Sequence, residues 1–344
     1  MRVAVVLFNL GGPDSLDSVE PFLRNLFSDS AILPLPTILR MPMARWIARR
    51  RAPVARHIYS RMGGRSPLLE ETRAQADRLE TALLGRGVQA KVFIAMRAWH
   101  PRSRETARAV AEFAPDETVL LPLYPQFSTT TSASSLDDWR QCARSERRDA
   151  KEHRVCCYPW DSGLVGALAG ELQTVLSKRL PGVVYRALFS AHGLPRRTVA
   201  KGDPYQWQME RTAEALAHQL TTENLDWSVC YQSRIGPLQW LEPTTDSEIR
   251  RAGVDGRGVV IAPISFVSEH SETLVELDID YARLASDCGV PHYLRVPTVR
   301  TNHLFIEGLA ELVIRALHSE QPITCGSGRV CPPQFSRCGM NRAA

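Results

Sequence analysis

The sequence of 344 residues predicts an α/β protein with two Rossmann-like, doubly wound domains, parallel sheets and an inter-domain cleft. Three observations lead to this prediction. The length is typical of two domains. Apolar strand patterns and amphipathic helix patterns alternate along the chain, as in parallel sheets with helices on both faces. The strand end at residues 119–128 also resembles the strand end at residues 260–268, which indicates two halves of similar plan.

The elements of the first domain, residues 1–160, follow from short apolar runs and from apolar residues at helical spacing. Residues 3–8 are a continuous apolar run typical of a buried strand. Asp14 or Ser15 can cap the next helix, whose apolar residues begin at Val19. We then predict helices at 67–84, 102–113 and 136–144, and strands at 88–96, 118–124 and 154–158.

The second domain, residues 161–319, shows the same alternation. Its predicted strands are 183–190, 227–232, 258–263 and 292–296. Its predicted helices are about 164–179, 205–220, 246–252 and 304–317, with one more that follows the strand ending at 263. Residues 320–344 form a Cys-containing tail that is rich in Gly, Pro and Ser.

Composition and charge narrow the class of protein. With 44% hydrophobic and 23% charged residues and a net charge of +5, the chain is an ordinary soluble globular protein. No apolar run approaches the length of a membrane-spanning helix. The N-terminus has a short apolar run before Gly11-Gly12-Pro13 and no cleavage site, so we predict a strand and not a signal peptide. We expect a cytoplasmic protein, with any membrane contact peripheral and on the inner face of the cell membrane.

Residues 28–58 interrupt the alternation. The stretch 32–39 is apolar and contains two prolines, so no regular element is predicted there. Methionines and Trp46 follow, interleaved with six arginines: Arg40, Arg45, Arg49, Arg50, Arg51 and Arg56. Two interpretations have equal weight. The stretch is either a helix with a basic solvent face, or an apolar lip with basic flanks that rests on an anionic membrane and admits an apolar ligand.

The stretch 263–281, PISFVSEHSETLVELDIDY, concentrates titratable side chains after a buried strand. Glu269 and His270 lie in the predicted loop at the strand end, where open α/β sheets bind ligands. Glu272, Glu276 and Asp280 are four residues apart, so on a helix they form one acidic stripe. Taken alone, such a stripe is more often a solvated helix face. Beside a histidine it suits a divalent transition metal, and metal chemistry is the leading hypothesis.

A second histidine follows another strand, in the motif SAHGLP at residues 190–195. Alone, His192 would more often be a structural histidine than a ligand. Paired with the 269–272 loop at another strand end, it can complete a facing metal or acid–base site, since a neutral imidazole opposite a carboxylate binds a metal or accepts a proton.

Other common motifs are absent from the sequence. Residues 9–13, NLGGP, are not a dinucleotide fingerprint, and Pro13 removes an amide that a phosphate loop would use. No Walker loop, Gly-x-Ser-x-Gly elbow or nucleic-acid motif is present. The hydroxyl-rich run at residues 128–135 can cap a helix or line a polar pocket wall.

The motifs together resemble the ferrochelatase family, over almost the whole chain from residue 9 to about residue 317. The pieces that carry the resemblance stand in the family's order: NLGGP at 9–13, YSRMGGRSP at 59–67, MR at 96–97 with HP at 100–101, LYPQFS at 123–128, SAHGLP at 190–195, QSR at 232–234 with GP at 236–237, WL at 240–241 and SEHSETL at 268–274. Each piece is short, but the set and its order are specific.

The resemblance implies a chelatase-like fold and a lyase that inserts ferrous iron into protoporphyrin IX to form protohaem, the last step of haem biosynthesis. It implies that His192 and Glu272 are the facing residues for iron and proton transfer, with His270 beside them. Glu276 and Asp280 match an acidic path, and relatives widen this helix toward π geometry. We therefore expect the stripe to line the cleft and not to face solvent. The positions that match the porphyrin pocket are Leu10, Arg97, Ser128, Trp240 and Phe266. The lip at about 28–58 matches the pocket mouth, which touches the bilayer in membrane-associated members.

The tail adds Cys325, Cys331 and Cys338. Iron–sulfur clusters use four cysteine ligands, and some family members carry a two-iron, two-sulfur cluster on C-terminal cysteines and one from the body. Cys156 or Cys157 is the candidate fourth ligand, with Cys142 next. The position that supplies this ligand in animal relatives is Thr129 here. A tail with reactive thiols and a zinc site are the alternatives.

Two further functions compete with protoporphyrin chelation. One is a chelatase for coproporphyrin or another tetrapyrrole or metal, which a family resemblance does not separate from the first. A second departure from the family pattern is that Arg97-Ala98-Trp99 stands where many relatives have Arg-Tyr before His-Pro, so that this pocket wall is either altered or compensated by Trp99. The other is a non-catalytic tetrapyrrole carrier, which is disfavoured because a carrier has no need of both His192 and Glu272. The partners expected are the porphyrin and ferrous iron, without nucleic acid, for a monomer or homodimer.

Overall fold

The computed structural model describes residues 1–146, 150–220, 225–234, 236 and 238–341. Pro237 of the GP motif lies outside the described residues. The chain divides into two compact units. The first comprises Met1–Tyr158, Leu309–Val330 and the residues from Gly339 on, and the second comprises Pro159–Gly308 and Cys331–Cys338. The Cys-containing tail is therefore shared between the units.

Strands and helices alternate along the described chain. The strands are β1 (Val3–Asn9), β2 (Ala90–Met96), β3 (Glu117–Pro122), β4 (Lys151–Cys157), β5 (Tyr185–His192), β6 (Asp226–Gln232), β7 (Gly258–Pro263), β8 (Tyr293–Arg295) and β9 (Ile323–Thr324). The α-helices are α1 (Val19–Phe27), α2 (Thr37–Ser60), α3 (Leu68–Gly85), α4 (Ser103–Phe113), α5 (Ser132–Ser145), α6 (Ser162–Leu176), α7 (Arg196–Ala200), α8 (Tyr205–Gln219), α9 (Thr245–Val254), α10 (Ala282–Asp287) and α11 (His303–Leu317). A π-helix spans Glu272–Tyr281 and a 3-10 helix spans Gly339–Asn341.

Each unit is built on one parallel sheet. The order is β2-β1-β3-β4-β9 in the first unit and β6-β5-β7-β8 in the second. Every pair of neighbouring strands is parallel. The predicted fold class, α/β with two parallel sheets, is confirmed.

The central strands explain why the strand prediction worked. All seven residues of β1 and all six of β7 are buried, so these strands are continuous apolar runs, as expected where helices cover both faces. In the first unit, Phe8 packs edge-on against Trp139 of α5, with ring centroids 5.8 Å apart. In the second, Ile261 of β7 packs in one cluster with Ile249 of α9 and Leu277 of the π-helix. The second core also contains Leu188 of β5 and Cys230 of β6, so it holds these two strands together with β7.

No regular element was expected over residues 32–39, and this prediction is wrong for residues 37–39. Helix α2 begins at Thr37, directly after Pro36, and it includes Pro42 and Pro53. A proline removes one backbone donor, a cost of about 3 kcal/mol in a helix interior. Burial of Ala44, Ala48 and Ala52, a row at four-residue spacing, offsets this cost because the row packs against α1.

The opposite side of α2 is apolar and exposed near its start. Ile38 and Leu39 have relative exposures of 81% and 59%, and Trp46 has 55%. Among the described residues, no helix combines the length and the apolarity needed to cross a membrane.

Candidate active site

The main chain of His192 is held at the carboxyl end of β5 by two hydroxyl groups. Tyr205 Oη donates a hydrogen bond to the His192 carbonyl at 3.0 Å, and the His192 amide donates to Ser265 Oγ at 3.2 Å. Tyr205 begins α8, and Ser265 lies just beyond the end of β7. Because both main-chain groups of His192 are bonded, the direction in which its imidazole leaves the strand is fixed.

The imidazole of His192 meets the first carboxylate of the acidic stripe. His192 Nδ1 lies 2.7 Å from Glu272 Oε2. The two side chains keep 36% and 28% of their surface exposed, so a substrate can reach them. The sequence prediction that these two strand-end loops face each other thus corresponds to a direct contact.

The carboxylate of Glu276 accepts hydrogen bonds from several groups. It accepts from the Ser233 amide, from Gln232 Nε2 and from Tyr281 Oη, each at 3.0 Å. Tyr281 is five residues further along the π-helix. A π-helix brings residues i and i+5 into register, so this geometry places the Tyr281 hydroxyl over Glu276. The π-helix therefore shapes the site directly.

Ser233 links the two carboxylates. Its Oγ lies 3.0 Å from Glu272 Oε2 and 2.5 Å from Glu276 Oε2. It follows β6 and has φ +62°, in the left-handed region that a residue with a Cβ rarely occupies. Its hydroxyl carries one proton and can donate to only one carboxylate at a time. A proton on Glu276 would complete a chain of two hydrogen bonds, from Glu276 to Ser233 and from Ser233 to Glu272.

The pKa values of the titratable groups of the site are shifted from their usual values, some upward and some downward. Burial raises the pKa of Glu272, but the His192 charge and hydrogen bond outweigh it and lower the pKa to about 2. Burial and the Glu272 charge raise the pKa of Glu276 above its usual value. The pKa of His192 is lowered by burial and raised more strongly by Glu272, so its net pKa is above normal. Carboxyl groups whose pKa values are pushed apart are candidates for different roles in proton transfer.

His270 has a different environment from His192. Its Nδ1 accepts a hydrogen bond from the Glu272 amide at 3.0 Å, so its proton is on Nε2. The Phe266 ring packs edge-on against it with centroids 4.3 Å apart. Burial lowers the pKa of His270, which favours the neutral imidazole. His270 therefore orders the start of the π-helix.

Asp280 differs from the other two members of the stripe. It is exposed, whereas Glu272 and Glu276 are half-buried. The expectation that all three avoid solvent is therefore wrong for Asp280, because it lies near the end of the π-helix, beyond the β6 loop that shields Glu276.

The residues predicted to line a porphyrin pocket lie in both units. In the second, Trp240 pairs with Pro195, and a Cβ on Gly193 would come within 3.3 Å of the Trp240 ring, so the indole packs on the loop after His192. Phe266 contacts His270, as described above.

In the first unit, Arg97 is held in a polar network, because Asp29 Oδ2 lies 3.0 Å from its guanidinium and Ser134 Oγ accepts from Nε at 2.7 Å. Leu10 is half-buried after β1. Ser128 is fully buried, with its Oγ 3.0 Å from Thr130 Oγ1.

The tail cysteines pack against the body of each unit. In the first unit, the Cys325 amide donates to the Cys157 carbonyl at 3.1 Å, and a Cβ on Gly339 would lie 2.7 Å from Cys156 Sγ. In the second, Cys331 Sγ accepts from Gln208 Nε2 at 3.0 Å, and Cys338 is fully buried.

The thiols fit an iron–sulfur cluster by their number and chemistry. Within the described ranges, however, no group of three or more His, Cys, Asp or Glu side chains is arranged to hold a metal ion. We therefore assign no ligand geometry to a cluster.

Several residues of the site were not predicted to act there. Ser233 and Gln232 belong to the QSR motif, but the motif alone gave them no role. Tyr281 is the last residue of the stretch 263–281, and no feature of the sequence indicates that its hydroxyl donates to Glu276. Tyr205 and Ser265 carry hydroxyls in otherwise ordinary positions, and only the three-dimensional structure brings them to His192.

The comparisons with known proteins agree on one family. A sequence model described as Ferrochelatase matches residues 2–317. The chain is 52% identical over 340 residues to a protein named Ferrochelatase from Phenylobacterium zucineum, which covers 98% of each chain. It is 51% identical over 347 residues to the Ferrochelatase of Caulobacter vibrioides, which covers 100% of this chain and 99% of the relative.

Among solved structures, SirB from Bacillus subtilis with Fe3+ matches with a TM-score of 0.56. This match covers 92% of this chain and 96% of SirB at 10% identity, so it supports the fold alone. The extent and identity of the sequence matches show that the chain belongs to the ferrochelatase family.

Proposed function

We propose that this protein is a ferrochelatase that inserts ferrous iron into protoporphyrin IX to form protohaem, the last step of haem biosynthesis. The observation that carries the proposal is the partly exposed contact between His192 and Glu272 at 2.7 Å, in a chain that belongs to this family. Both the metal and the porphyrin are substrates. The protein must present the metal and accept the protons that it displaces.

The reaction releases two protons, because each of two pyrrole N–H groups loses its proton when ferrous iron binds the ring nitrogens. We assign to His192 the role of first proton acceptor. Its raised pKa keeps the imidazole basic enough to act near neutral pH. Glu272 stays ionised at neutral pH because its pKa is about 2. It supplies the negative charge that attracts ferrous iron and stabilises the imidazolium. His270 keeps the Glu272 main chain in place.

We assign proton removal to the carboxylates beyond Glu272. Ser233 Oγ contacts both Glu272 and Glu276, which supports a short hydrogen-bonded route between them. The raised pKa of Glu276 makes it a better proton acceptor than Glu272. Asp280 follows on the same helix and is exposed, so it is the candidate for passing protons to water.

An activity assay tests this proposal. We expect the wild-type protein to insert ferrous iron into protoporphyrin, and His192→Ala and Glu272→Gln to lose at least about a hundredfold in kcat, as is typical for removal of a proton-transfer group. His303→Ala is the matched control, since it breaks an exposed His–Glu pair that lies outside the site. Full activity in both site variants would refute the assignment.

The same assay separates the competing functions. A higher kcat/KM with coproporphyrin than with protoporphyrin would assign the protein to the coproporphyrin substrate. Porphyrin binding without turnover of any porphyrin would identify a carrier.

We also propose that the start of α2 rests on the inner face of the cell membrane, and that the protein works in the cytoplasm. The exposure of Ile38, Leu39 and Trp46 beside arginines supports this, because apolar side chains can enter the interface while cations pair with anionic headgroups. Ile38→Glu should reduce co-sedimentation with anionic vesicles. Val254→Glu is the control, since Val254 is 89% exposed on α9. Equal binding of Ile38→Glu and wild type would contradict the proposal.

For the tail we propose a two-iron, two-sulfur cluster held by Cys325, Cys331 and Cys338 with Cys156 or Cys157. The support is the number and chemistry of the thiols, since no three of them are brought together in the part of the chain that the structure describes. Such a cluster would supply a redox-active iron centre. Protein purified without oxygen should show visible absorption with equal iron and acid-labile sulfide, lost in Cys331→Ser and kept in Cys288→Ser. Colourless, iron-free protein would refute the cluster.

A further inference from the structure

The tail segment 331–338 docks on the beginning of α8. Gln208 Nε2 donates to Cys331 Sγ at 3.0 Å, and the Phe335 ring lies 5.9 Å from the Trp207 ring, centroid to centroid. The Arg337 amide donates to the Gly202 carbonyl at 3.1 Å. All of these residues belong to the second unit, which also contains His192.

The fit at Gly202 is close. Gly202 has φ +93°, a conformation that L-residues rarely adopt. A Cβ there would lie 2.5 Å from Ser336 Oγ and 3.0 Å from the Ser336 amide nitrogen. The loop before α8 therefore approaches the tail backbone more closely than any side chain would allow. This closeness is typical of a built contact and not of a tail that rests loosely on the surface.

The first turn of α8 also reaches the candidate active site. Tyr205, its first residue, is buried and donates its hydroxyl proton to the His192 carbonyl at 3.0 Å. The buried Asp203 accepts from the Tyr205 amide at 3.0 Å, which fixes where the helix begins. Within four residues, α8 thus contacts the catalytic strand through Tyr205 and the tail through Trp207 and Gln208.

We propose that the tail segment 331–338 acts as a positioning element for His192, through the first turn of α8 and the Tyr205 hydroxyl. The inference rests on the proposed function, because it concerns where the proton-accepting imidazole points. The tail contacts hold the first turn, the first turn holds Tyr205, and Tyr205 holds the carbonyl of His192. Tyr205 and Phe335 are positioning residues, since Tyr205 acts on the His192 carbonyl and Phe335 acts through Trp207 of α8.

A double-mutant cycle tests this path. Tyr205→Phe removes one neutral hydrogen bond, worth about 1 kcal/mol, so kcat should fall about fivefold with KM for the porphyrin unchanged. Phe335→Ala should lower kcat by a similar factor. Because both act on one path, the double variant should lose little more than either single variant, whereas independent effects would multiply.

Further variants keep the result interpretable. Gly202→Ala should displace the same tail segment and reproduce the kcat loss if Phe335→Ala folds poorly. Arg329→Ala, in the part of the tail that groups with the first unit, should leave kcat unchanged. The imidazole signal of His192 in the NMR spectrum should shift in Tyr205→Phe and Phe335→Ala, and not in Arg329→Ala.

The outcomes separate the two proposals. A wild-type protein without iron insertion would overturn the proposed function, and the NMR shifts would still report on the path. An active wild type with multiplicative effects in the double variant would overturn the path alone. Unchanged kcat in both Tyr205→Phe and Phe335→Ala would also overturn it.

Discussion

Replacement of Ser233 by alanine should slow iron insertion strongly while the fold is kept. Ser233 Oγ lies between the carboxylates of Glu272 and Glu276, and no other side chain among the described residues is seen to contact both. Alanine keeps the Cβ and the left-handed backbone at φ +62°, so the conformational strain is the same in both proteins. The amide that donates to Glu276 is also kept. The change therefore removes the hydroxyl alone.

The expected magnitude follows from the one proton of the hydroxyl. Ser233 donates to one carboxylate at a time, so the variant loses one hydrogen bond to a charged group, about 1.5–3 kcal/mol. If this bond is needed in the transition state, kcat falls about 10- to 150-fold, since 1.36 kcal/mol corresponds to a factor of ten. The loss should appear in kcat and not in KM for the porphyrin, because the hydroxyl is assigned to proton transfer between the two carboxylates and not to porphyrin binding.

The assay is steady-state formation of metalloporphyrin, with thermal unfolding measured on the same preparations. Ser228→Ala is the matched control, because Ser228 Oγ also donates to a glutamate, Glu248, at 2.9 Å in the same sheet but outside the site. Ser228→Ala should keep the wild-type kcat. A kcat of Ser233→Ala within twofold of the wild-type value, in folded protein, would show that the hydroxyl does not link the two carboxylates in the reaction.

Three further predictions concern charge and packing. Glu276→Gln removes a negative charge that helps to raise the pKa of His192 against the effect of burial, so the acid limb of the kcat/KM profile should move to lower pH; an unmoved limb would exclude this coupling. Gly163→Ala puts a Cβ 2.4 Å from a carbonyl of α11 and should destabilise the fold by about 1–3 kcal/mol. Gly170→Ala, where the added Cβ meets open space on the same helix, should stabilise the fold by up to about 1 kcal/mol. Chemical denaturation measures both variants, and an equal effect of the two would contradict the close packing at Gly163. Arg295→Met removes the ion pairs to the buried Glu269 and the half-buried Asp278 and should lower the free energy of unfolding by about 3–5 kcal/mol, whereas a loss under about 1 kcal/mol would show that the pairs contribute little.

The fold could be predicted from the sequence because its strands are buried on both faces. Strands such as β1 and β7 are uninterrupted apolar runs, a pattern typical of strands in a parallel sheet that helices cover on both faces. The start of α2 could not be predicted in this way. Two prolines normally argue against a helix, and the compensating row of buried alanines becomes informative only when its partner α1 is known.

The part of the site that lies at neighbouring strand ends could be predicted from the sequence. His192 ends β5 and Glu272 follows β7, and since these strands are neighbours in the sheet, the contact of the two residues follows from topology. The role of Ser233 could not be predicted, because a serine after a strand carries no signal that its backbone is left-handed. The π-helix is a similar case, since a four-residue acidic spacing fits an α-helix and a π-helix equally well.

The three carboxylates of the acidic stripe differ in environment, and in the proposed mechanism this difference gives proton removal a direction. Glu272 has a lower proton affinity than Glu276 because its pKa is about 2, so a proton that reaches it is released easily. Glu276 binds a proton more readily because burial and the Glu272 charge raise its pKa, and Tyr281, Gln232 and Ser233 hold its carboxylate in place. Transfer from Glu272 to Glu276 is therefore favourable. The next carboxylate, Asp280, is exposed, so the exposure that contradicted the sequence prediction is what the proposed exit for protons requires.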